Sequence, residues 1–137
     1  MPPDTQSHEP TRSRPPSRNV ATVNRYLDGF CRNDHQQILS CLTDDIQWTV
    51  YGAFRLTGKD AYDKAIDGAP EFIDPPELEV VRMVEQGDVV MAELTSTARR
   101  AAGGEMRMST AEVFVMRDGK IAERRAWVAV LNENDYR

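Results

Sequence analysis

Metal ligands and reactive thiols are scarce in this chain, which has two histidines and two cysteines in 137 residues. His8 falls in a proline-rich opening stretch and His35 stands alone at a helix start. No cluster has metal-ligand spacing, and no metal or other cofactor is expected. Cys31 and Cys41 have neither metal nor redox spacing and both fall in predicted helices, so they read as reduced thiols of a cytoplasmic protein. No serine or cysteine pairs with a nearby histidine in the way nucleophilic catalysis requires. A phosphate-binding glycine loop is also missing, since Gly103-Gly104 reads as a hairpin turn. No apolar run approaches the roughly 18 residues of a membrane span. Nor does a charged start precede an apolar segment as in a signal peptide, and the expected location is the cytoplasm, away from membranes. Basic residues are outnumbered, 17 against 22 acidic, for a net charge of −5, so nothing marks a nucleic-acid partner.

The 40% of hydrophobic residues suffices for one core, and the length suits one domain. Residues 1–18 hold five of the eight prolines and no aliphatic residue after Met1. Such a stretch cannot offset its ordering entropy, so a mobile tail is expected before a domain spanning 19–137. Asn19 reads as the N-cap of a helix to about Asn33, with Val23, Tyr26, Leu27 and Phe30 on one apolar stripe. Tyr26, inside that stripe, brings a hydroxyl that needs a partner; a backbone carbonyl is the plainest one. Asp34 opens a shorter helix, with Gln37 placed as in a capping box. Ile38, Leu39 and Leu42 form its inner face and Thr43-Asp44-Asp45 its close. Ile46–Tyr51 alternates as a strand, with Ile46, Trp48 and Val50 on one face, and Gly52 ends it. Thr57-Gly58-Lys59-Asp60 starts a third helix to about Ile66, ended by Gly68, and an irregular loop follows to Pro76. Beyond it the period becomes that of strands: Leu78–Glu85, the turn Gln86-Gly87-Asp88, and Val89–Arg100.

The last hairpin carries the strongest local signal. Two runs rich in β-branched, aromatic and Met residues flank Asp118-Gly119. In the first run Met106, Met108, Thr110, Glu112, Phe114 and Met116 share a face. Glu112 is thus a carboxylate in an apolar row and must be paired, protonated or solvated. A two-residue turn sets it opposite Arg125, and a three-residue loop with a bulge sets it opposite Arg124. A two-residue turn at Gly103-Gly104 would put Glu112 opposite Thr95 and Phe114 opposite Glu93, so that Glu93 shares the face of Glu112.

Helices followed by a meander of antiparallel strands make an α+β fold. With three helices on the concave face of a strongly curved antiparallel sheet, the cone leaves a cavity for a small ligand. The order, with Arg25-Tyr26-Leu27, Asn33-Asp34, Leu42-Thr43-Asp44-Asp45-Ile46, Thr57-Gly58-Lys59-Asp60-Ala61 and Phe114-Val-Met-Arg-Asp118-Gly119-Lys120-Ile121-Ala-Glu123, resembles the nuclear transport factor 2 superfamily. The nearer branch is that of the SnoaL-like polyketide cyclases and ketosteroid isomerase relatives, over about residues 19–130. The resemblance implies that Tyr26 matches the tyrosine donating to the oxyanion in the isomerases. Glu112 would match the acid sharing that role, with one residue's difference in hairpin length. It also favours the three-residue turn, hence Arg124 as the partner of Glu112. Other parts are absent. Val50 stands at or next to the isomerases' base, and Ala126, Val128 and Ala129 surround Trp127 where the cyclases carry an acid. Leu94, Ser96 and Ala129 stand where related epoxide hydrolases need two aspartates and an arginine.

The expected function is that of a small-molecule pocket protein for an apolar or aromatic ligand. As an isomerase or cyclase it would use Glu112 or Glu93 to move a proton and Tyr26 or Arg124 to steady the oxygen of a carbonyl metabolite. Trp48, Val50, Thr95 and Phe114 complete the lining. An adjacent arginine lowers a carboxyl pKa, which would leave Glu112 ionised, as a base or as a structural partner. The alternative is a non-catalytic ligand-binding or dimerisation module. A homodimer through the convex residues Ala111, Val113 and Val115 is compatible with either.

Overall fold

The computed structural model describes residues 15–67, 76–132 and 134–136. The expected tail therefore lies outside the described residues for its first fourteen positions, as do Gly68 and the loop to Pro75. Helix α1 spans Arg18–Arg32 and is capped by Ser17, whose side chain accepts from the Val20 amide; the expected cap, Asn19, is inside the first turn. Ser17 competes better because its hydroxyl also donates to Glu85, at 2.8 Å, tying the helix start to the sheet. The predicted stripe is the buried one: Val23, Tyr26 and Leu27 are inaccessible or nearly so, and Phe30 packs beside them. Asn33 closes α1 in the left-handed conformation.

Helix α2 is only His35–Ser40, with Asp34 as its cap. It ends before Thr43-Asp44-Asp45, because strand β1 already begins at Leu42 and runs to Val50. Leu42 sits beside Ile121, and both side chains are wholly buried, so packing overrides the polar Thr-Asp-Asp signal. Cys41 is accordingly a cap residue rather than helical. Strand β2, Phe54–Thr57, was not foreseen; four residues with a mostly exposed pattern carry little periodicity. Helix α3 is Lys59–Ile66. Then come β3 (Glu77–Gln86), β4 (Val89–Arg99), β5 (Glu105–Arg117) and β6 (Lys120–Leu131).

The six strands form one curved sheet in the order β2-β1-β6-β5-β4-β3, antiparallel except for the parallel pair β1/β6. The helices cover its concave face, and the core between them contains Tyr26, Ile38, Ile46, Tyr62, Val90, Leu94, Phe114 and Ile121. Helix α1 is also bonded to the hairpin tip: Arg18 Nη2 donates to the Asp118 carbonyl at 2.8 Å, and Thr22 Oγ1 to that of Gly119 at 2.7 Å.

Two registers differ from expectation. The last hairpin turns through two residues, with Arg117 opposite Lys120 and Asp118 and Gly119 both at positive φ. A bulge then shifts the pairing between Val115 and Met116, so Glu112 faces Ala126 and not Arg124 or Arg125. At the β4–β5 end the turn is longer than Gly103-Gly104, because pairing stops at Arg99–Glu105. Glu112 is therefore opposite Ala92 and Phe114 opposite Val90. This odd displacement moves Glu93 and Thr95 to the convex face, where both are exposed.

Candidate functional site

Arg124 is the centre of the concave face. On β6 it lies beside Trp48 of β1 and Phe114 of β5. One step along, Ala126 lies between Val50 and Glu112. Because Ala126 is small, the Arg124 side chain reaches diagonally to Glu112. Nε donates to Oε1 at 2.7 Å and Nη2 to Oε2 at 3.0 Å, a two-pronged pair that fixes the guanidinium plane. Nη1 donates to the hydroxyl of Tyr26 and, at 3.3 Å, to that of Tyr62. The two hydroxyls are themselves hydrogen-bonded. The guanidinium carbon also stands 4.4 Å from the centre of the Trp48 ring and 5.3 Å from that of Phe30.

Few protein interiors hold charge without this degree of pairing. The Glu112 and Arg124 side chains are 4% and 11% exposed, so either alone would carry a large desolvation cost. Burial by itself would lower the Arg124 pKa, but the charge of Glu112 and the two phenol oxygens outweigh it and hold the guanidinium charged. Burial pushes the Tyr26 hydroxyl well above its ordinary range, and that of Tyr62 upward too, although Arg124 pulls both the other way. Both phenols are therefore neutral donors at physiological pH. Thr110 Oγ1 adds a long contact to Glu112 Oε2, 3.4 Å.

Trp48 closes the cluster on one side. Its ring stacks on Tyr62 with centres 4.8 Å apart, and meets Phe54 and Phe30 edge-on at 5.0 and 6.3 Å. Its indole nitrogen is buried and is the one such side-chain atom among the described residues without a hydrogen-bond partner.

Of the residues singled out in the sequence, Tyr26, Trp48, Glu112, Phe114 and Arg124 converge here, and Val50 packs at the edge of the same core. Glu93 and Thr95 do not reach it. Arg125 points to the convex side and pairs with Glu123 at 3.0 Å. Tyr62 was missed. It shares an i, i+4 face with Ile66 on the predicted third helix, the same signal that singled out Tyr26, and both are buried. His35 is not alone: its ring nitrogens contact Asp63 of α3 and Asp67, the C-cap of that helix, and these bonds raise its pKa. Among the described residues no group of histidine, cysteine, aspartate and glutamate has the geometry of a metal site, and no helix is long and apolar enough to cross a membrane.

A six-stranded curved sheet closed on its concave side by three helices places the chain among the cone-shaped folds of the nuclear transport factor 2 superfamily. The sequence profile of the SnoaL-like domain matches residues 23–124, and the chain belongs to that family. No curated protein matches it in sequence. Among solved structures it is similar to an LEH-like epoxide hydrolase of Mycobacterium tuberculosis, with TM-score 0.73 and 19% identity over 82% of this chain and 83% of that one. It is similar to TerC co-crystallised with polyporic acid, with TM-score 0.73 and 23% identity over 80% and 90%. A third is RV0760c of Mycobacterium tuberculosis in complex with estradiol-17β-hemisuccinate, with TM-score 0.71 and 12% identity over 81% and 93%. At these identities the likeness is one of fold.

Proposed function

We propose that this chain is a small-molecule pocket protein that takes an apolar, carbonyl-containing metabolite on the concave side of its sheet, holds it by its oxygen, and does not turn it over. The observation that carries this reading is the two-pronged Glu112–Arg124 pair with Tyr26 and Tyr62 at its end. Those hydroxyls and the guanidinium are donors suited to a carbonyl oxygen. Polyporic acid in TerC and estradiol-17β-hemisuccinate in RV0760c support a small organic ligand for this architecture.

An isomerase or cyclase would need a base beside those donors. Both oxygens of Glu112 accept from Arg124 and Glu93 is on the far face, and by the resemblance the place of the isomerases' base falls at or next to Val50. Binding without proton transfer therefore fits the side chains better. A homodimer formed through the convex face is part of the same proposal.

The test uses Trp127→Phe protein, in which Trp48 is the remaining tryptophan. Titration with 1-indanone should change its fluorescence saturably, and a Trp48→Phe variant that keeps Trp127 should show no response. A response that follows Trp127 would overturn the site. Exchange of the ketone's α-hydrogens in D2O, faster with protein than with buffer, would restore the enzyme reading.

A further inference from the structure

The hydrogen-bond inventory of the cluster is one-sided. Arginine offers five N–H donors and no acceptor. Arg124 spends Nε and Nη2 on the Glu112 oxygens and Nη1 on the tyrosine hydroxyls. Tyr26 and Tyr62 share one hydrogen bond between them, and two phenols carry two hydrogens, so one remains free to donate. Glu112 offers about four acceptor positions, of which Arg124 fills two and Thr110 one. Trp48, 9% exposed, has an indole N–H with no partner. The groups around it are the rings of Tyr62, Phe30 and Phe54 and the guanidinium, a cation that offers no acceptor. The one buried side-chain atom left without a partner among the described residues is thus a donor.

The charge is balanced as well. Glu112 and Arg124 cancel, so an incoming carboxylate would bring an uncompensated charge among buried rings. An ammonium would bring a second cation beside the Arg124 guanidinium, with a single open position on Glu112 to accept from it. A ligand without polar atoms would leave the indole N–H as it is, at the usual penalty of an unpaired buried donor.

We infer that the indole N–H of Trp48 is the specificity contact of this pocket, and that its ligand is an uncharged hydrogen-bond acceptor of the ketone class. This rests on the pocket reading above and narrows it. Phe54, 42% exposed on the edge strand β2, meets Trp48 edge-on.

The experiment needs no substitution in the site. Wild-type protein labelled with 15N shows two indole N–H resonances, and Trp127→Phe identifies that of Trp48. It is titrated with three probes of one shape: 1-indanone, indane and indane-1-carboxylate. The Trp48 resonance should move downfield with 1-indanone in the manner of a new hydrogen bond, and not with indane. The ketone should bind roughly two- to tenfold more tightly than the hydrocarbon, the range of one neutral hydrogen bond, and the carboxylate more weakly than either. Equal shifts of the Trp48 resonance with ketone and hydrocarbon, or tightest binding by the carboxylate, would overturn the inference and leave the pocket standing. Absence of binding by all three would overturn the pocket itself and the inference with it.

Discussion

Glu112 and Arg124 each occupy a position that neither could hold alone. With both side chains nearly inaccessible, truncating one leaves the other charged and unpaired in a poorly solvated interior. Glu112→Leu is therefore expected to cost about 3–5 kcal/mol of unfolding free energy. Glu112→Gln keeps the shape and loses the charge, and should cost about 1–3 kcal/mol. The double variant Glu112→Leu with Arg124→Met removes both desolvation penalties and should lie closer to wild type than Glu112→Leu does. Urea denaturation of the three variants measures this directly. If Glu112→Gln keeps wild-type stability and instead lowers turnover of a substrate about a hundredfold, Glu112 is an acid or base and the structural reading fails.

At the scale of elements, the meeting of α1 and α2 rests on Gly29. A Cβ there would stand 2.8 Å from Ile38 Cγ1 and 3.3 Å from the Ile38 amide nitrogen, and the second neighbour is backbone that cannot swing aside. Helix propensity alone would make Gly29→Ala stabilising by about 0.8–1 kcal/mol. Overpacking against Ile38 costs about 1–3 kcal/mol, and should win. A net loss in urea denaturation is expected, recovered in part when Ile38→Val is added; a gain would show that the helices can separate freely. What the sequence reveals is divided at this same level. Stripes such as Val23, Tyr26, Leu27 and Phe30, and the alternation through Glu112 and Phe114, report which face is buried, because that is a local periodicity. They do not report pairing. One bulge beside Val115 and one turn longer than Gly103-Gly104 moved Glu112 from Arg124 or Arg125 to Ala126 and sent Glu93 to the other face. The contact between Glu112 and Arg124 forms all the same, not directly across the ladder as expected but diagonally, over the length of the arginine side chain. Tyr62 carries a weaker signal than Tyr26, because the 8 residues of α3 span little more than two turns and show only Tyr62 and Ile66 on the buried face.

The whole molecule has two sheet faces with different demands. The concave one is covered by helices. The convex one carries a stripe in which Val84 pairs with Met91 and Met91 with Val113, and Val84 and Met91 are about half exposed. Beside it Trp127, 45% exposed, stacks on Tyr51 at 4.7 Å over a shallow groove of about 540 Å³ lined by Glu93, Ser109, Ala111 and Ala129. An apolar stripe of this kind is where a second sheet gains most by packing, and Glu93, Arg125 and Glu123 on the same face offer both signs of charge to a two-fold copy. The single chain has a mass of 15.5 kDa, so light scattering coupled to size exclusion should give 2 × 15.5 = 31 kDa at tens of micromolar for wild type. Val113→Arg places a charge at the middle of the stripe without touching the Arg124 cluster on the opposite face. It should return the chain to monomer mass and leave the Trp48 fluorescence response to 1-indanone in place. A monomeric wild type would remove the dimer and leave the pocket standing, whereas a monomeric Val113→Arg that also loses the ligand response would mean that the two faces act as one unit.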